Sequence, residues 1–372
     1  MPSVEEARDS MESAMQARES LDLEGAITHL SAAIRTFTSL GEQRAGAMAC
    51  VHLGDVYANG LGNLTAARAW FVRAEAMLRD EAPCVEQGWV AVAAMGCDTG
   101  DPDDLLARAH LALDRARQFG DVNLETKALA DGGLAHVQAG RVAEGMAMLD
   151  EAMALVCGPV DDLDVAGKSA CSFFTACYYS ADFDRASSWG DLLRGRGLIG
   201  PDGPAPAFLS NHCDTVQACL LCELGRWTEA EALLERASDE FEQVTGQPAF
   251  HSAILLAELR IRQGRLAEAE MLLVGREQTF EGFLPAARLH LRRGDAELAA
   301  LAARRGLRAM GADHLRAVEL LSVLADAEIA RGDLGAATEA RARLSRRVDD
   351  VANPILLARQ RAVAGPRPGR QR

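Results

Sequence analysis

The tripeptide with the most obvious chemical potential is Gly167-Lys168-Ser169, the ending of a phosphate-binding loop. Such a loop cradles phosphate with backbone N–H groups and a lysine. It needs a further glycine five residues before Gly167 and a strand ahead of it. Asp162 stands there instead, inside the acidic run from Asp161 to Asp164, which would repel phosphate. The tripeptide therefore reads as the polar start of a helix. Cys219 and Cys222 share a face of a predicted helix, with His212 and Cys213 just before them. Zinc usually takes four converging ligands, often in pairs from separate elements. Cys213 is rotated away and no second Cys-x-x-Cys exists, so these thiols read as small apolar side chains. The eight histidines occur singly, without a His-Glu-x-x-His pair, and no Gly-x-Ser-x-Gly elbow is present. The carboxylate pairs Asp103-Asp104 and Asp161-Asp162 stand at turns and helix starts, where capping and the helix dipole account for them. No residue is nominated as nucleophile, general acid or base, metal ligand or cofactor contact, so a non-enzyme with no cofactor is expected.

The elements that would position any site follow from a repeated phrase: an apolar helix end, a glycine, a polar residue, then a new helix. It occurs at Gly62-Asn63, Gly100-Asp101, Gly140-Arg141, Gly225-Arg226, Gly264-Arg265, Gly294-Asp295 and Gly332-Asp333. Ala181-Asp182 fills the slot in one unit, and Ser20-Leu21 is assigned to it in the first. Successive spacings run from 30 to 44 residues. Two small positions keep register with the turn. Seven residues before it stand Ala93, Gly133, Ala218, Ala257, Ala287 and Ala325, with Gly54 shifted by one inserted residue. Five after it stand Ala67, Gly145, Ala186, Ala230, Ala269, Ala299 and Ala337. Two antiparallel helices can pack closely only where their facing side chains are small. A hairpin that cannot bury its apolar face alone must stack on its neighbours. The chain is thus expected to be an all-α solenoid of about nine helical hairpins between about residues 4 and 350.

In stacked hairpins the first helix of each unit lines the concave side. The residues expected to face that groove are Asp55, Asn59, Lys127, Thr175, Tyr178, Tyr179, His212, Thr215, Glu223, His251, Glu258 and Arg262. Their alternating charge suits a protein or peptide segment. The bland alternative is a merely solvated face. His52, His136, His212, His251 and His290 fall on first helices, where a charge-switching group would suit a sensor, or where a hydrogen bond or solvent satisfies them.

Leu53-Gly54, Tyr57, Ala67, Phe71 and Ala74 resemble the tetratricopeptide pattern. Residues 171–193, 219–237 and 256–273 further resemble the helical region of large LuxR-type regulators of actinobacteria. That resemblance implies a sensor or coupling array, which in that family lies between an ATPase and a helix-turn-helix. Neither of those activities can be carried onto a residue here, because the phosphate loop and recognition helix are missing.

Bulk properties agree with a binding module. Apolar residues make up 49% of the 372, aromatics only 5%, and the net charge is −15. An excess of 54 acidic over 39 basic residues argues against nucleic acid as the array's direct partner. Nine cysteines, an odd number, and no signal peptide suggest free thiols in the cytoplasm. No apolar run approaches a membrane span, so no membrane is expected. A protein segment in the groove is the expected partner, with a small effector as the alternative. The Gly/Pro-rich residues 196–206 divide an N-terminal sub-array, 1–195, from a C-terminal one, 207–350. Residues 351–372 read as an incomplete repeat with a basic tail, as if the chain were the coupling part of a larger regulator.

Overall fold

The computed structural model describes residues 3–96, 102–198, 207–245, 250–279, 281–309 and 314–351. These form eighteen α-helices and no strand. They pair as nine hairpins: α1 (Val4–Glu19) with α2 (Leu23–Leu40), α3 (Gln43–Asp55) with α4 (Leu64–Leu78), and α5 (Val85–Met95) with α6 (Pro102–Phe119). Next come α7 (Val122–Gln138) with α8 (Val142–Val156), α9 (Leu163–Ser180) with α10 (Phe183–Gly195), and α11 (Ala207–Glu223) with α12 (Trp227–Thr245). The last are α13 (Phe250–Gln263) with α14 (Leu266–Leu273), α15 (Phe283–Arg293) with α16 (Ala296–Ala309), and α17 (His314–Arg331) with α18 (Leu334–Val351). Gly100 and Asp101 lie outside the described residues, as does most of 196–206.

The turn glycines do what their position requires. Gly62, Gly140, Gly225, Gly264, Gly294 and Gly332 all have left-handed φ, between 63° and 86°. This geometry closes a helix by returning N–H groups to its last carbonyls, as Gly294 N–H does to Leu291 O at 3.1 Å. Ala181 occupies the same conformation at φ 56°. In the first unit the left-handed residue is Leu21, at φ 60°, and Asp22 caps the next helix, so that turn falls one residue later than Ser20-Leu21. The residue after the turn splits by chemistry. The side chains of Asp22, Asn63, Asp182 and Asp333 accept N–H bonds from the new helix's first turn. Arg226 and Arg265 cannot accept, and instead pair with Glu229 and Glu268 three residues on.

The small positions are the seams of the hairpins. Ala67, Ala218, Ala230, Ala257, Ala269, Ala287, Ala299 and Ala325 are all fully buried. In the fourth unit both partners are glycine. A Cβ on Gly133 would lie 2.7 Å from Gly145 O, and one on Gly145 would lie 2.4 Å from Gly133 O. The residue inserted before Gly62 is absorbed by a π-helical turn, Val56–Gly60, in which Leu61 N–H reaches back to Val56 O at 3.2 Å.

From α3 onward each odd-numbered helix packs on the next odd-numbered helix, and the even-numbered helices flank them on the outside. The odd helices are therefore the concave layer. The array also winds far enough to meet itself. α1 touches α11, and α17 touches both α7 and α9. Ala317, Val318 and Leu321 of the last hairpin share an apolar core with Leu129, Phe173 and Leu193 of the middle ones. The Gly62 turn lies against the Phe250 ring, 2.7 Å from where a Cβ would stand. The inner face is thus bridged where α1 meets α11 and where α17 meets α7 and α9.

Candidate functional site

The inner face of α9 carries a polar stripe, Asp164, Lys168, Ser172, Thr175 and Tyr179, at helical spacings of three or four residues. Each end of the stripe joins a charge network.

At the N-terminal end, Asp55 at the close of α3 meets three donors. Lys168 Nζ lies 3.0 and 2.9 Å from its two oxygens, Arg18 Nη1 lies 3.1 Å from Oδ2, and Asn59 Nδ2 donates to Oδ1 at 2.7 Å. Asp164 completes the square, 3.0 Å from Lys168 and 3.5 Å from Arg18. This clasp ties the first and second hairpins to the fifth, across 113 residues between Asp55 and Lys168. Burial works against the charged form of Asp55. The Lys168 ammonium and Arg18 guanidinium outweigh it and hold the carboxyl well below the usual carboxylate range. Lys168 is raised in turn: Asp55 and Asp164 overcome the cost of burial. His52, beside them, is pushed down to about 4, first by burial and then by Arg18, and so stays neutral.

Midway, Lys127 pairs with Asp131, whose other oxygen accepts from Ser172 Oγ at 2.9 Å. Thr175, half-buried, separates this pair from the second network.

The second network is a ladder across four successive inner helices. Arg262 on α13 donates to Glu223 on α11 at 2.7 Å and to Glu258, four residues before it, at 3.2 Å. Arg288 on α15 pairs with Glu258 and with Glu319 on α17. The three carboxylate side chains are 11–13% exposed. Tyr178 of α9 lies against the row, edge-to-face with Tyr179 at 5.5 Å between ring centres. Burial first, and Glu319 next, push its hydroxyl well above its ordinary range. Burial also costs Arg262 its charge, but Glu258 and Glu223 more than restore it. Glu258 Oε2 is buried with no hydrogen-bond donor among the described residues, a situation that costs about 1–3 kcal/mol.

Of the residues singled out from sequence, Asp55 and Asn59 stand in the clasp. Tyr178, Glu223, Glu258 and Arg262 stand in the ladder, with Tyr179 packed on it. Lys127 and Thr175 lie between. Thr215 is buried and shares a hydrogen bond of 2.8 Å with Ser252, so it is a packing contact between hairpins and not an open groove residue. His251 stacks edge-on against Phe250. His212 falls within α11, and its side chain lies outside what the structure describes. Arg18, Asp164, Lys168, Arg288 and Glu319 were not anticipated. Arg288 had a readable signal, since it stands six residues before Gly294 as Glu258 stands six before Gly264. Lys168 was read as the polar start of a helix, and it is the centre of the clasp.

Cys219 and Cys222 border the ladder. Burial pushes both thiols up, Cys222 to about 11, which keeps them protonated and poorly nucleophilic. Among the described residues no group of His, Cys, Asp and Glu could hold a metal ion. No described helix is long and apolar enough to cross a membrane.

No protein-family model matches the chain, and a search of curated proteins gives no match. Among solved structures it is similar to a Rap protein complexed with Competence and Sporulation Factor. That likeness has 11% sequence identity and a TM-score of 0.61, covering 94% of this chain and 99% of that one. Yeast Tom70 is matched at 11% identity over 96% of this chain and 95% of its own, with a TM-score of only 0.40. The fold is a tetratricopeptide-like α-solenoid. At this level of identity the likeness extends to the fold alone.

Proposed function

We propose that this solenoid is a non-catalytic binding array whose inner face receives a protein segment, and that the complex serves regulation. The observation that carries this reading is where the polar chemistry lies. Buried ionic and hydroxyl groups from the inner helices converge on α9, and none is arranged as nucleophile and base. Solenoids present their inner layer to partners, and the Rap protein of similar fold was solved in complex with a factor. The resemblance of residues 171–193, 219–237 and 256–273 to LuxR-type regulators favours a regulatory purpose. Under that second reading the array would work with a DNA-binding domain, and reading the coding DNA beyond the Arg372 codon tests it.

The main reading is tested by placing a photo-crosslinking residue at Thr175 on the inner face or at Met271 on the outer face, in the native host. A partner segment captured from position 175 and not from 271, and lost on charge reversal at Glu258 and Arg262, is expected. Equal capture from both faces, or capture indifferent to the reversals, would sink it.

A further inference from the structure

Glu258 receives both of its guanidinium partners on one oxygen. Arg262 Nε, at 3.2 Å, and Arg288 Nη1 both donate to Oε1, while Oε2 has no donor among the described residues. Around it, the largely buried carboxylates of Glu223, Glu258 and Glu319 pair with Arg262 and Arg288. The Tyr178–Tyr179 ring pair lies alongside, carried by α9, which packs on both α11 and α17 and so spans the ladder. The Tyr178 hydroxyl is buried beside these groups. Burial first, and Glu319 next, push it up, while both Arg262 and Arg288 lie close enough to interact with it.

Three kinds of ligand group can be weighed against this arrangement. An anion would have to displace a carboxylate already bonded to Arg262 or Arg288. A neutral apolar group would leave Oε2 buried and unpaired. A cation would give Oε2 a charge-assisted donor and could lie on an aromatic face at once. The net charge of −15 adds attraction for a basic partner at long range.

We propose that the ladder is the anchor site for an arginine or lysine side chain of the bound segment, its cationic head donating to Glu258 and its stem lying on Tyr178 and Tyr179. This rests on the inner-face reading above and names the chemistry of the partner.

The test uses the full chain and an array of immobilised hexapeptides. Each peptide is randomised except for one fixed arginine, lysine, citrulline, leucine or glutamate. Retention on the arginine and lysine sets, and not on citrulline, is expected. In solution, by fluorescence anisotropy, changing the anchoring arginine to citrulline should weaken binding about tenfold or more. Glu258→Gln should reduce that discrimination to less than about twofold, whereas Glu229→Gln on an outer helix should leave it unchanged. Tyr178→Leu supplies a second variant should Glu258→Gln not fold, and it too should erode the preference. A preference for glutamate or leucine sets overturns the proposal and leaves the inner-face reading standing. So does an arginine preference that survives in folded Glu258→Gln. Retention of no peptide at all overturns both.

Discussion

The clasp and the ladder lie at opposite ends of one helix, α9, and both are built from cations paired with carboxylates, yet they are finished differently. Among the described residues the clasp sets Arg18 and Lys168 against Asp55 and Asp164, two cations and two anions in a closed square. Both Asp55 oxygens accept, and Asn59 supplies a further donor. The ladder sets Arg262 and Arg288 against Glu223, Glu258 and Glu319, with one buried oxygen left over. A buried network earns stability only when every member is satisfied. The clasp is satisfied internally and joins hairpins far apart in sequence, so it holds the superhelix closed. The ladder joins hairpins that already stack on one another, so its incompleteness costs less and leaves chemistry for a partner.

The largest expected effect breaks this comparison directly. Asp55→Asn removes one anion from the clasp and leaves two buried cations facing Asp164. Urea unfolding should show a loss of about 3–5 kcal/mol. Glu258→Gln removes one anion from the ladder and leaves two arginines facing Glu223 and Glu319, each with its own partner. The loss there should stay below about 1 kcal/mol. Equal losses in the two variants would erase the distinction between them.

A pH series sharpens the same contrast. His52 stands beside Arg18, Asp55, Asp164 and Lys168 and is lowered to about 4 in the folded chain. Between its ordinary range near 6.5 and 4, the unfolded chain binds the proton and the folded one does not. Stability should therefore fall as pH drops through that window, by roughly 1 kcal/mol per pH unit. Below it, protonation of the depressed Asp55 carboxyl continues the loss in the same direction. His52→Gln should flatten the slope between pH 6.5 and 4. An unchanged slope would mean that another group carries it.

Much of this was legible in the sequence, and the part that was not has a physical reason. The turn glycines and the alanine seams recur because every hairpin closes and packs by the same local geometry, so nine hairpins could be read directly. Glu258 and Arg262 were readable too, being placed by register from Gly264. The clasp was not. Pairing Asp55 with Lys168 depends on how far nine hairpins wind, which is the sum of many small rotations between neighbours, and no local pattern encodes that sum. The same winding brings α1 to α11 and α17 to α7 and α9, whereas Thr215 is buried against Ser252 simply because α13 stacks on α11.

The smallest effect concerns the helix that carries both networks. α9 ends at Ala181, held at φ 56°, where six of the other turns have glycine. A side chain in that conformation costs about 1 kcal/mol relative to glycine, and Ala181 is only partly buried, so little packing is lost with its methyl group. Ala181→Gly should therefore raise the unfolding free energy by about 0.5–1 kcal/mol. Added to Asp55→Asn it should return that same increment, because the turn and the clasp lie at opposite ends of the helix and share no partner. A much larger recovery would show that the turn and the clasp are coupled through α9. The two networks would then be one mechanical unit, and the separation drawn between closing the superhelix and binding a partner would have to be given up.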